Sequence, residues 1–234
     1  MQLKFTQIRI WSAASVLALL AACGGGGGGS SGPVTSTETF QMRTAYVSYI
    51  QDSRSLPFTV AGSVSGTTVT GSGTTTQGSM FSTTFEGQAA QAKTTTATGT
   101  LTANGQNLPL ASTATTYVDS NYNPLGFNST EYEVVTSSTP IPATAKVGDT
   151  GTWYSANRYT SSSKASRTGT ETATFVLEPD TASTALLKII QVQKDTSNTV
   201  TSTSTTTFRM TPAGGLTRLS ETLLQGNTSL TATY

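Results

Sequence analysis

The sequence contains no histidine and a single cysteine, Cys23. Without imidazole there is no Ser-His-Asp triad, no Cys-His dyad and no His-ligated zinc or haem. One cysteine excludes intramolecular disulfides, thiolate clusters and iron-sulfur centres. Charge is scarce too: 13 Lys+Arg stand against 12 Asp+Glu in 234 residues, a net charge of +1. The basic residues are scattered singly, so the electrostatic footprint that nucleic-acid binding needs is missing. The longest apolar run, Ile10 to Ala22, falls short of the ~20 residues that a membrane helix requires.

What the chain has instead is hydroxyl. Thr and Ser supply 78 residues, about a third of the total, while charged residues supply 11 %, where about a quarter is usual. The apolar residues alternate with Thr and Ser in short runs broken by Gly, Asn, Asp and Pro. That is how antiparallel strands with one wet face read.

The N-terminus carries an export signal. Lys4 and Arg9 precede the short apolar core, which ends in Leu20-Ala21-Ala22-Cys23. This ending resembles the lipobox of bacterial lipoproteins. The resemblance covers residues 1–23 and implies cleavage before Cys23, a diacylglycerol thioether on its sulfur and usually an amide-linked acyl chain. Two or more chains anchor stably where one is marginal. Gly24 is not the Asp that commonly retains such proteins in the inner membrane, so the resemblance implies an outer-membrane destination within the cell envelope. Gly24 to Gly29, with Ser30, Ser31 and Gly32 before Pro33, form a Gly-rich tether that spans roughly 17 Å as a flexible coil. The expected organisation is a signal peptide over 1–22, lipidated Cys and tether over 23–33, and one all-β domain over 34–234. A Pro-containing break from Thr139 to Pro142 divides the domain into possible similar halves, 34–138 and 147–234.

Strand alternation begins at Phe40, with Phe40, Met42, Tyr46 and Ile50 on one face, and continues through Phe58, Val60, Gly62 and Val64. Further strands are expected at 67–77, 80–86, 91–103, 112–119, 128–137, 150–161, 167–178, 184–194, 198–210 and 216–223. Ser65-Gly66 and Asn104-Gly105 are tight-turn signals. No segment is assigned to a helix. Thr94, Thr96, Thr98, Thr100 and Thr102 share one strand face and should point outward, with Leu101 and the alanines inward; Thr168 to Thr174 and Thr199 to Thr207 repeat the pattern. Such rows resemble the faces of ice-binding β proteins, whose arrays need a fixed repeat period that this sequence lacks.

Candidate chemistry is sparse. Glu131 and Glu133 project from one strand face, which reads as a solvated edge and not as the opposed carboxylates of a glycosidase. Asp119, Asn121 and Asn123 have calcium-loop spacing, but Pro124 stands at the sixth position and Thr130 at the twelfth, so an Asx-rich turn is expected. Ser161-Ser162-Ser163-Lys164 contains the Ser-x-x-Lys spacing that resembles penicillin-binding enzymes, without their partner motifs. Trp153, Tyr154, Tyr122, Phe127, Tyr132, Tyr159 and Phe175 concentrate mid-chain. They read as core or as the lining of a groove for an apolar ligand, with Trp153, Tyr154, Tyr132, Phe127 and Tyr159 as the candidate binding residues.

The expected fold is an antiparallel β-sandwich or partly open β-barrel. The expected function is non-catalytic: a membrane-anchored envelope lipoprotein that binds a hydrophobic ligand or a protein partner, with no cofactor, metal or nucleic acid. The alternative is a structural or adhesin-like surface protein that contacts its partners through Thr-rich faces and open edges.

Overall fold

The structure, a computed structural model, describes residues 35–234; the signal peptide, Cys23 and the Gly-rich tether lie outside the described residues. A helix, α1 (Met42–Gln51), is followed by thirteen strands: β1 (Arg54–Val64), β2 (Thr67–Gln77), β3 (Phe81–Phe85), β4 (Gln88–Ala103), β5 (Gln106–Val118), β6 (Pro124–Asn128), β7 (Tyr132–Ser138), β8 (Thr150–Tyr159), β9 (Arg167–Pro179), β10 (Ala185–Asp195), β11 (Val200–Met210), β12 (Leu216–Gln225) and β13 (Thr228–Thr233). Each strand from β4 to β13 pairs antiparallel with the next. Three further ladders close the ring: β1 pairs with β13, Val60 opposite Ala232, β1 pairs with β2, Val60 opposite Gly71, and β2 pairs with β4, Gly71 opposite Leu101. The result is a closed antiparallel barrel of 12 strands, with β3 attached to β4 outside the ring.

Closure fixes what the alternation means. In β9, Ala173, Phe175 and Leu177 are buried while Thr168, Thr170, Thr172 and Thr174 stand on the other face, half-buried. In β4, Ala97, Leu101 and Ala103 point inward and the Thr94 to Thr102 row outward. Outward rows of β2 and β4 meet as Thr and Ser pairs, among them Thr70 opposite Thr102 and Ser72 opposite Thr100. Branched hydroxyl side chains pack on the pleat and stay wet. Such rows differ from the apolar band that clothes a membrane barrel.

The turns between strands follow from sequence. Ser65-Gly66 and Asn104-Gly105 both take positive φ at both central positions (49° and 81°; 50° and 72°), the conformation that two-residue hairpins need. Glu86-Gly87 does the same between β3 and β4. The span expected as one strand over 128–137 is instead the end of β6, a turn and β7, and the last strand, β13, was not anticipated.

The larger correction concerns residues 40–51. Only Phe40 makes a bridge, to Ala145; Met42–Gln51 is helix. Met42, Ala45, Tyr46, Tyr49 and Ile50 stand at i, i+3, i+4, i+7 and i+8, which is a helical stripe. That stripe packs on Ile141, Phe175, Leu177, Leu187, Phe208 and Met210. Each large apolar side chain buried this way is worth about 1.5–3 kcal/mol, enough to hold a helix too short to be stable alone. At its C-terminus, the buried Lys93 Nζ donates to Ile50 O at 2.9 Å and also to Asp52 O. A cation there complements the helix dipole. The helix thus stoppers the end of the barrel that carries the β9–β10 and β11–β12 turns.

Candidate functional site

The inward side chains do not fill the barrel. They leave a cavity of about 260 Å³ that reaches nearly around the ring and is roofed by α1. Met42, Tyr46 and Tyr49 come from the helix, Ile141 from the segment after β7, Trp153 from β8, Leu187 and Ile189 from β10 and Phe208 from β11. Tyr46 meets Trp153 edge-on with centroids 4.9 Å apart, and Tyr49 meets Phe208 the same way at 5.0 Å. Burial pushes the Tyr46 phenol well above its usual range, so it stays protonated.

Polar side chains share this wall, among them Thr75, Gln77, Thr95, Gln191 and Thr206. Gln77 Nε2 donates to the Tyr49 hydroxyl at 3.0 Å. Arg218 pairs with Glu221, both largely buried, and its guanidinium lies 4.2 Å from the Tyr234 ring centroid. On one flank, Ser112, Ala114 and Thr116 of β5 and Phe127 of β6 line the cavity. The ladder is short there: β5 and β6 are paired through four positions, Thr115 to Val118, and residues 106–114 have no ladder partner on that side among the described residues.

Away from the helix, the interior is half apolar and half ionic. Phe58, Val60, Val69, Leu101, Leu110 and Leu230 pack together under β1, β2, β4, β5 and β13. Across from them, Arg158 pairs with Glu131, and its Nε lies 3.8 Å from Glu133 Oε1. This corrects the solvated-edge reading of the two glutamates, which are 6 % and 1 % exposed. They share the inward parity of β7, and Arg158 arrives opposite from β8. Beside them, Glu171 accepts from Tyr154 Oη at 2.6 Å, Gln191 Nε2 at 2.9 Å and Gln193 Nε2 at 2.8 Å. Burial raises the Glu171 pKa, and the three donors and Arg158 pull against that rise. Among the described residues no group of three His, Cys, Asp or Glu side chains is arranged to hold a metal ion.

The five candidate aromatics separate. Trp153 and Phe127 line the cavity. Tyr154 lies just behind them, its ring 5.2 Å from Phe127 and 5.5 Å from Trp153, and its hydroxyl accepts from Gln191, itself a lining residue. Tyr132 and Tyr159 do not line it. Tyr132 belongs to a separate cluster with Phe85, and its hydroxyl donates to Glu86 at 2.7 Å. That cluster needs Gly126, where a Cβ would come 2.2 Å from the Phe85 ring. Phe175 is core beneath the helix, and the Tyr122 hydroxyl accepts from Gln51.

Asp119 closes the Asx turn, its Oδ1 accepting from Asn121 N at 2.7 Å and Asn123 N at 2.8 Å. Lys164 is paired with Glu86, while Ser161 Oγ lies 2.9 Å from Ser163 Oγ. Sequence reasoning missed Met42, Tyr46, Tyr49, Gln77, Arg218 and Glu221. The first three were hidden by reading a helix as a strand. Gln77 is a polar residue at inward parity of β2, whereas Arg218 and Glu221 both face inward only because β12 bulges between them.

Comparison with protein-family models, with curated proteins and with solved structures finds no match for this chain.

Proposed function

We propose that the chain is an exported lipoprotein, held to the bacterial cell envelope by acyl chains on Cys23, whose barrel binds a compact hydrophobic ligand without catalysing a reaction on it. One observation carries the binding part: a cavity inside a closed barrel, walled by Met42, Tyr46, Tyr49, Trp153, Leu187, Ile189 and Phe208. Ligand sites are concave, mostly apolar and furnished with a few placed polar groups. A core built only for stability would fill such a space, because voids forfeit packing energy. The anchoring part is supported by the lipobox-like residues Leu20 to Cys23 and the Gly-rich tether.

Native mass spectrometry of protein purified from a bacterial envelope, before and after organic extraction, tests the binding. A reproducible extra mass that extraction removes is expected, and a bare polypeptide under both conditions would count against the proposal. For the anchor, Cys23→Ser should release the protein from membranes and leave an N-terminus without acyl mass; unchanged membrane retention would refute it.

A second reading, contact with an envelope partner, is favoured by the unpaired β5 edge. Pro109 on that edge cannot donate to an added strand, which limits the pairing it offers. In-envelope cross-linking from Ala111, with no reproducible adduct, would dismiss it.

A further inference from the structure

We infer that the barrel cavity is shaped for a small, uncharged ring compound bearing a hydroxyl group. The inference rests on the ligand-binding reading above and narrows it to a chemical class.

Gln77 is 8 % exposed and lines the cavity. Its Nε2 is used on the Tyr49 hydroxyl, but its Oε1 is buried with no hydrogen-bond partner. Buried acceptors in native proteins are almost always satisfied, and a bare one is costly. Tyr49, having accepted from Gln77, still has its own O–H proton to give. An acceptor and a donor therefore stand side by side on the cavity wall. A hydroxyl group answers both, since it donates one proton and accepts through its lone pairs.

The rest of the ligand follows from the walls. Tyr46, Trp153 and Phe208 offer ring faces and edges at the spacings that aromatic pairs favour. The charges at the cavity, Arg218 and Glu221, are paired with each other, so the site presents no net charge for an ionic ligand to neutralise. The volume of about 260 Å³ lies below the ~300–1,000 Å³ of pockets for drug-sized ligands. One ring, or two fused rings, is the body that fits.

The test uses the full chain carrying Trp11→Phe, which leaves Trp153 as its only indole, and follows Trp153 emission during titration with p-cresol, toluene or benzoate. The expected result is saturable binding of p-cresol with Kd about tenfold below that of toluene, the effect of one good hydrogen bond, and weaker binding of benzoate. Gln77→Leu should bring p-cresol to the Kd of toluene, Tyr49→Phe, which leaves Gln77 Oε1 as an acceptor, should shrink the preference by about half in free energy, and both should leave toluene within about twofold of its starting value. Tyr49→Phe keeps the ring and its packing, so it remains informative if the Gln77 variant folds poorly. Equal affinity for p-cresol and toluene in the parent would overturn the hydroxyl inference and leave the hydrophobic-ligand reading standing. Tighter binding of benzoate would overturn the uncharged class. If none of the three binds saturably, both readings fall.

Discussion

Arg158→Met removes the guanidinium that stands between Glu131 and Glu133 inside the barrel. Arg158 is 3 % exposed, and both glutamates are buried. The pair with Glu131 and the approach to Glu133 Oε1 would both vanish. Breaking a buried ion pair by removing one partner costs about 3–5 kcal/mol, because the remaining charge is stranded. In a domain of about 200 residues that corresponds to roughly 6–20 °C in Tm. Urea denaturation followed by Trp153 emission and far-UV dichroism measures the loss. Replacing the cluster together, with Glu131→Gln and Glu133→Leu added, should recover most of the loss, since apolar substitutes for a buried ionic triad are often at least as stable. A deficit below about 1 kcal/mol, the range of an exposed pair, would refute the buried network.

Three further perturbations report on other parts of the structure. Lys93→Met strips the donor from Ile50 O and Asp52 O and should cost about 1–3 kcal/mol; because burial, helped by Arg54, lowers the Lys93 pKa to about 8 from 10.5, the parent should gain stability as pH rises from 8 to 10.5 and the variant should lack that gain in denaturant titrations. Glu171→Gln should flatten the parent's decline in stability above pH 4.5, because burial raises the Glu171 pKa and the carboxylate form is the disfavoured one; an unchanged pH profile would show that Glu171 does not contribute. Gly126→Ala should push Phe85 off the outer face of β6 at a cost of about 1–3 kcal/mol, as overpacking does, with faster amide exchange in β3 as the readout; protection equal to the parent would contradict the contact.

The strands were legible because their period was unambiguous. Thr94 to Thr102 opposite Ala97 and Leu101, and Thr168 to Thr174 opposite Ala173 and Phe175, can be read only one way in β geometry, and Asn104-Gly105 dictates its hairpin. Closure was less legible. The β2–β4 ladder depends on how far the β3 hairpin overshoots the ring, which no local pattern encodes. Residues 42–50 were misread because a few apolar positions, Met42, Tyr46 and Ile50, satisfy spacings of 2 and of 4 alike; adding Ala45 and Tyr49 would have favoured the helix. That slip concealed the cavity roof, Met42, Tyr46 and Tyr49. Trp153 and Phe127 were found as aromatics, but Tyr132 has the same composition signal and packs on the opposite side of the wall, because β7 places it at outward parity. Glu131 and Glu133 looked solvated for want of Arg158, which lies 25 or more residues away and meets them only through the β7–β8 ladder.

The most direct test of the account is a crystal structure of the protein soaked with p-cresol. The account predicts a closed barrel with α1 in its mouth and density for one ring between Trp153 and Tyr49, its hydroxyl within hydrogen-bond reach of Gln77 Oε1. A barrel whose interior is filled by its own side chains, with the compound bound only outside or not at all, would contradict it.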